Sequence, residues 1–198
     1  MNPHWRTPAI ALAAGSLILT LSLGVRHGFG LFLSPMSLEL GWGREAFAFA
    51  LALQNLVWGL TQPVIGLLAD RWGGGRVVIA GVVLYCAGLY GMAHADTPLA
   101  LALSSGIAIG TALSCCTFSV VSGVIGRRYS PNQRSQALGI AGAAGSFGQF
   151  AMLPASEYLI TALGWHNALL ALGAAIPVSY THLRAHETDS YLVCRLLL

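Results

Sequence analysis

Charge is what this chain has least of. Only 9% of its 198 residues are Asp, Glu, Lys or Arg, against roughly a quarter in soluble domains. A soluble domain of this length needs a charged shell that these residues cannot supply, so lipid is the expected solvent. Lysine is absent altogether and every basic residue is arginine, a bias that fits a GC-rich coding sequence, as does the abundance of Ala and Gly. The arginines sit in turns between apolar stretches and not in one patch, so the net charge of +3 does not indicate nucleic-acid binding.

Cysteine is scarce too, with four residues in all. Cys86, Cys115 and Cys116 lie inside apolar runs. Adjacent cysteines on a helix point in different directions and cannot form an ordinary disulfide. All three read as small packing residues rather than ligands or redox centres. The signatures of a membrane-bound enzyme are also missing: there is no HExxH, no Walker loop and no paired carboxylates. No catalytic group, metal or cofactor is expected.

What the chain does have is hydrophobic length. A hydrophobic segment of about 20 residues crosses a bilayer as a helix. The sequence predicts spans over residues 8–33, ended by Ser34-Pro35, then 46–69, 77–95, 99–125, 136–163 with a kink at Pro154, and a partial sixth over 165–176. The first is too long for a signal-peptide core, and no clear small-x-small cleavage site follows it. Small residues mark the spans. Gly139, Gly142, Gly145 and Gly148 recur every third position and Gly106 pairs with Gly110, flattening helix faces so that backbones approach closely. The expected fold is an all-α bundle in the membrane.

Residues 177–198 stand apart. Val178 to Thr188 and Leu192 to Leu198 resemble a short-read sequencing adapter translated in one frame, with Thr188-Asp189-Ser190-Tyr191 where its variable index would fall. The tail is therefore expected to be non-native, with the native sequence stopping at Ile176. His182, His186 and Cys194 then form no metal site.

Loop charge gives an orientation. Arg6, Arg71, Arg76, Arg127, Arg128 and Arg134 fall on one side of the predicted topology and Arg44 alone on the other. Under the positive-inside rule the N-terminus and the loops after spans two and four are cytoplasmic, in the inner (plasma) membrane.

The loop after span two reads Gly66-Leu-Leu-Ala-Asp70-Arg71-Trp72-Gly73-Gly74-Gly75-Arg76. Its glycines permit a sharp reversal at low steric cost. Asp70 is poorly placed at a helix C-terminus, where the dipole favours cations, so it needs a cationic partner or a neighbouring helix N-terminus. Arg71 and Arg76 are the local candidates. The pattern G-x-x-x-D-R-x-G-x-x-R resembles the signature loop between the second and third helices of the major facilitator superfamily of secondary transporters. The resemblance implies that Gly66, Asp70, Arg71, Gly73 and Arg76 form a gating hairpin whose Asp and Arg contact a helix of the opposite bundle. Gly75 stands where a second basic residue is common. It also implies two six-helix bundles, each of inverted three-helix repeats, rocking about a central site. This chain would be the first bundle, lacking the C-terminal one.

Inside the spans the least expected residue is Arg26, which costs about 2.5–3.5 kcal/mol near a helix centre on insertion scales. It either snorkels to the interface or faces a cavity, where its fork fits an anionic substrate. His27 beside it is a proton-sensitive neighbour or a packing residue. Glu157 is a possible ion-pair partner of Arg26, a proton carrier, or interfacial. Span two carries Gln54, Asn55, Trp58, Thr61 and Gln62 along neighbouring helical faces, which should meet a cavity, another bundle, or interhelical hydrogen bonds. Arg26, His27, Gln54, Asn55, Trp58 and Gln62 are the candidate substrate contacts.

The segment from Arg26 to Pro35, the Arg134–Gly145 tract and Gly164-Trp165 are similar to the bacterial monocarboxylate and oxalate/formate-type branch. That resemblance implies proton-coupled or exchange transport of small organic anions such as monocarboxylates. Efflux of drugs or hydrophobic metabolites, and a non-transporting structural membrane protein, are the competing readings.

Overall fold

The computed structural model describes residues 6–195, with side chains described over residues 8–176 apart from Ile10. Arg6 and the tail residues His182, His186 and Cys194 thus lie outside the described side chains. Among the described residues the structure is helical throughout: α1 (Arg6–His27), α2 (Phe29–Leu40), α3 (Arg44–Trp72), α4 (Gly74–Ala93), α5 (Pro98–Leu101), a π-helical segment (Ala102–Ala108), α6 (Ile109–Cys116), α7 (Phe118–Arg128) and α8 (Pro131–Arg195). Five helical stretches are long and apolar enough to cross a membrane.

Several boundaries differ from the sequence expectation, each for a local reason. Pro35 does not end the first span; it lies inside α2, which runs on to a left-handed Gly41 cap at φ 67°. One proline removes a single helical hydrogen bond, and glycine at this position satisfies the C-terminal carbonyls better than a proline stop. The interruption in this span falls instead at Gly28, between α1 and α2. Pro131 begins α8, as its preset φ and missing N–H suit a first helical turn. Helical dihedrals pass through Pro154, and the break comes at Gly164, with φ 77° and ψ 160°, a region open essentially to glycine alone. The fourth span is interrupted twice: by the π-helical segment and by Thr117, extended at φ −89° and ψ 179°.

Glycine faces bring the helices together. A Cβ on Gly148 would lie 2.2 Å from the Thr20 carbonyl oxygen, and one on Gly24 would lie 2.6 Å from the Gly148 oxygen, so α1 and α8 touch backbone to backbone. Thr20 Oγ1 donates across the same seam to the Ala144 carbonyl at 2.9 Å. Gly106 and Gly110 do the same for the fourth span on α3, against the carbonyls of Ala50 and Gln54. Of the glycine row on α8, Gly145 and Gly148 meet α1, Gly142 reaches only Phe118 at 3.7 Å, and Gly139 faces open space. In lipid this close packing replaces the hydrophobic drive.

Span one packs on five and two on four, while three meets four and one meets six through the Trp165–Glu39 contact. Tyr85, Phe29, Phe32 and Met36 are fully buried in one apolar cluster, and Leu19 in a second with Val121, Ile125, Ala137 and Ala141. In contrast, α3 leaves Phe49, Leu56, Leu60, Val64 and Leu67 exposed, an apolar stripe suited to lipid or to another helix bundle.

Candidate functional site

Arg26 projects from the last turn of α1 toward α3. Its Nη2 donates to Asn55 Oδ1, and its Cζ sits 4.8 Å from the Trp58 ring centroid, a cation–π contact. Asn55 is oriented for this by its own Nδ2, which donates to the Leu51 carbonyl at 2.8 Å. Arg26 Nε and Trp58 Nε1 are buried without an acceptor among the described residues. The guanidinium is therefore braced by an amide and an indole, neither of which neutralises it. Arg26, Asn55 and Trp58 form one cluster across the two helices.

The remaining candidates are placed elsewhere. Gln54 is 1% exposed and donates to the Ser105 carbonyl at 2.8 Å, so it joins α3 to the π-helical segment. Thr61 Oγ1 lies 2.7 Å from Ser114 Oγ, which donates to the Trp58 carbonyl at 2.8 Å. Most of the polar face of α3 is thus spent on interhelical hydrogen bonds. Gln62 is half-buried and has no hydrogen bond among the described residues; His27 is exposed. Glu157 is exposed, next to Ser156, whose hydroxyl packs under Gly28. It lies at the depth of Arg26 but makes no ion pair with it among the described residues. Tyr85, which the sequence did not single out, is fully buried and donates to the Ser22 carbonyl at 3.0 Å, one turn before Arg26. A tyrosine hydroxyl in a mostly aliphatic span, shared there only with Tyr90, was the available signal.

The hairpin turns on two of its three glycines. Gly73 has φ 89°, which L side chains rarely adopt. Gly74 is needed for space, since a Cβ there would lie 2.5 Å from Val124 Cγ2, whereas Gly75 faces open space. Asp70 pairs with neither Arg71 nor Arg76; its partner is Arg127 of α7, at 3.3 Å. Local sequence could suggest only nearby arginines. The signal for Arg127 was its place closing span four on the same side of the charge tally. With side chains 76% and 56% exposed, the pair contributes little stability. A cleft of about 310 Å³ lies beside it, lined in part by Asp70, Gly73, Gly74 and Arg127.

At the opposite end of the bundle, Trp165 Nε1 donates to Glu39 at 2.6 Å, and His166 Nδ1 lies 2.8 Å from the Ala93 carbonyl. These contacts fasten the arm of α8 beyond Gly164 to α2 and α4. Among the described residues no three His, Cys, Asp or Glu side chains converge to hold a metal ion.

Comparison with known proteins identifies the family. Residues 10–183 match the family model of the Major Facilitator Superfamily. The chain is 31% identical over 165 residues to monocarboxylate transporter 11 of Mus musculus, covering 83% of this chain and 36% of that protein. It is 30% identical over 175 residues to a probable chloroplastic anion transporter 4 of Arabidopsis thaliana, covering 85% of this chain and 31% of the relative. An uncharacterized MFS-type transporter of Escherichia coli, YhjX, is 32% identical over 98 residues, half of this chain. The chain spans about a third of the length of the first two relatives. Its packed glycine-faced spans, its hairpin and its match over nearly the whole sequence lead to one conclusion: this multi-pass membrane chain belongs to the Major Facilitator Superfamily.

Proposed function

We propose that this chain forms one bundle of a secondary transporter that moves a small organic anion, such as a monocarboxylate, by alternating access, with Arg26 as the anion's cationic contact. One observation carries the reading. A guanidinium within a membrane span is braced by Asn55 and Trp58 and has no carboxylate partner among the described residues. Such a charge is costly in lipid unless something compensates it, and a bound carboxylate does so with matching geometry. The relatives named as monocarboxylate and anion transporters point the same way.

In this reading the exposed apolar stripe of α3 meets a second bundle, which supplies the other wall of the cavity. The Asp70–Arg127 hairpin is the cytoplasmic gate, with Gly66, Arg71, Gly73 and Arg76 shaping it, and the Glu39–Trp165 contact closes the opposite end. Glu157 and His27, exposed near the depth of Arg26, are the candidates for carrying a coupled proton. The N-terminus is cytoplasmic and the membrane is the inner (plasma) membrane. The adapter-like tail takes no part.

The test is uptake of radiolabelled lactate and oxalate into proteoliposomes holding the complete transporter. Arg26→Ala should abolish uptake of the transported anion without reducing membrane insertion, and Arg26→Lys should be nearly as damaging because the fork is lost. Unchanged uptake in Arg26→Ala would remove the anion assignment and favour efflux of neutral or hydrophobic compounds. The 198-residue chain alone, with one wall of the cavity, is expected to carry no flux.

A further inference from the structure

At the end of the bundle away from the hairpin, two imidazoles are held side by side. His94 closes α4, and His166 follows the Gly164 break in α8. Each turns the same ring nitrogen to a main-chain carbonyl near the end of α4. His94 Nδ1 lies 2.9 Å from the Tyr90 oxygen, and His166 Nδ1 lies 2.8 Å from the Ala93 oxygen. A carbonyl only accepts, so both Nδ1 atoms carry a proton, and in the neutral rings both lone pairs sit on Nε2. Neither Nε2 has a hydrogen bond among the described residues. A ring N–H tied to a backbone carbonyl is the arrangement that metal-ligating histidines adopt.

The rings are fixed on their other sides as well. His94 lies against Tyr90 with centroids 4.2 Å apart, and His166 meets Trp165 edge-on at 5.7 Å, where the indole is anchored to Glu39. The two imidazole centroids are 4.8 Å apart. A Zn–N bond is about 2.0–2.1 Å and a ring nitrogen lies about 1.1 Å from its centroid, so two imidazoles on one tetrahedral ion have centroids about 5 Å apart. The observed spacing meets that requirement. Charge agrees, because the last carbonyls of α4 present the negative end of its dipole, and Asp96 follows in the same turn. His94 is exposed, so the pair is open to water.

We propose that His94 and His166 bind one divalent transition-metal ion of the zinc class through their Nε2 atoms, with water filling the remaining positions. The ion staples the arm of α8 beyond Gly164 to the end of α4. Imidazole donors select Zn2+, Ni2+ or Cu2+ over Mg2+ and Ca2+, which take oxygen ligands. The site does not depend on the reading of Arg26.

The experiment titrates Zn2+ against a chromogenic chelator into the complete transporter, purified in detergent with a histidine-free affinity tag. His94→Asn and His166→Asn each keep an N–H where Nδ1 stands and remove Nε2. Loss of an outer partner of a ligand already costs about 10–100-fold in affinity, so loss of either ligand should weaken one Zn2+ site by at least about tenfold. Zn2+ should raise the thermal unfolding temperature of the intact protein and of neither variant. One equivalent of Cu2+ on the intact protein should show two imidazole nitrogens by electron paramagnetic resonance, a readout that needs no substitution. Fewer than two nitrogens, Zn2+ affinity unchanged in either variant, or displacement of Zn2+ by equimolar Mg2+ would each overturn the proposal.

Discussion

Substituting Gly148 by alanine tests the packing that sets the whole bundle. The new Cβ would lie 2.2 Å from the Thr20 carbonyl oxygen and 2.5 Å from Thr20 Cα. Both are backbone atoms, so no flexible side chain can yield. Restoring ordinary contact requires α1 and α8 to separate by about 1 Å, and overpacking of this kind costs about 1–3 kcal/mol. The separation also stretches the Thr20–Ala144 hydrogen bond, which is 2.9 Å long. Against this, alanine gains up to about 1 kcal/mol of helix propensity over glycine. The expected net effect is a loss of about 1–2 kcal/mol. Gly139 supplies the control, because a Cβ there meets nothing within 4 Å. Gly139→Ala should be neutral or gain up to about 1 kcal/mol. The assay is reversible unfolding in mixed micelles on titration with sodium dodecyl sulfate, followed by far-ultraviolet circular dichroism. Equal stability of the two variants, or a more stable Gly148→Ala protein, would refute the backbone-to-backbone seam.

Other outcomes follow from the hairpin and from the α3 seam. Gly73→Ala should destabilise by about 1–3 kcal/mol because φ is 89°, while Gly75→Ala, in open space, should not; the same micelle titration distinguishes them. A double-mutant cycle of Asp70→Asn with Arg127→Gln should give a coupling in stability below about 1 kcal/mol, as expected for an exposed pair. Transport by the same variants should fall well beyond what the stability loss explains, and proportionate losses would argue against a gate. Ser114→Ala removes hydrogen bonds involving Thr61 and the Trp58 carbonyl and should cost about 1–3 kcal/mol, measured by thermal unfolding in detergent.

The fold class was readable from the sequence because lipid imposes a simple demand: long apolar runs with their backbone satisfied internally. The hairpin was readable because charge and glycine concentrate there between two long apolar runs. What local sequence could not disclose were choices made by distant neighbours. Asp70 selects Arg127, 57 positions away, over the adjacent arginines. Gln54 and Asn55 adjoin in sequence, yet one joins the fourth span and the other braces Arg26, because neighbouring helix positions diverge by about 100°. Pro35 is a helix breaker by local chemistry, yet it is tolerated inside a helix here. Thr117 lies in a run with no proline near it, so its extended backbone had no local signature.

The π-helical turn over residues 102–108 acts as a phase shifter for everything beyond it. Such wide turns accommodate a residue that a regular helix would not hold. Deleting one residue there should let the α-helical repeat close, rotating the stretch from Ile109 to Cys116 by about 100° about its axis. Gly110 would then swing off the Gln54 carbonyl, and Ser114 off Thr61. The register between the second and fourth spans is thus encoded by a single extra position, and length variation there would re-aim half of the bundle's interior while leaving composition almost untouched.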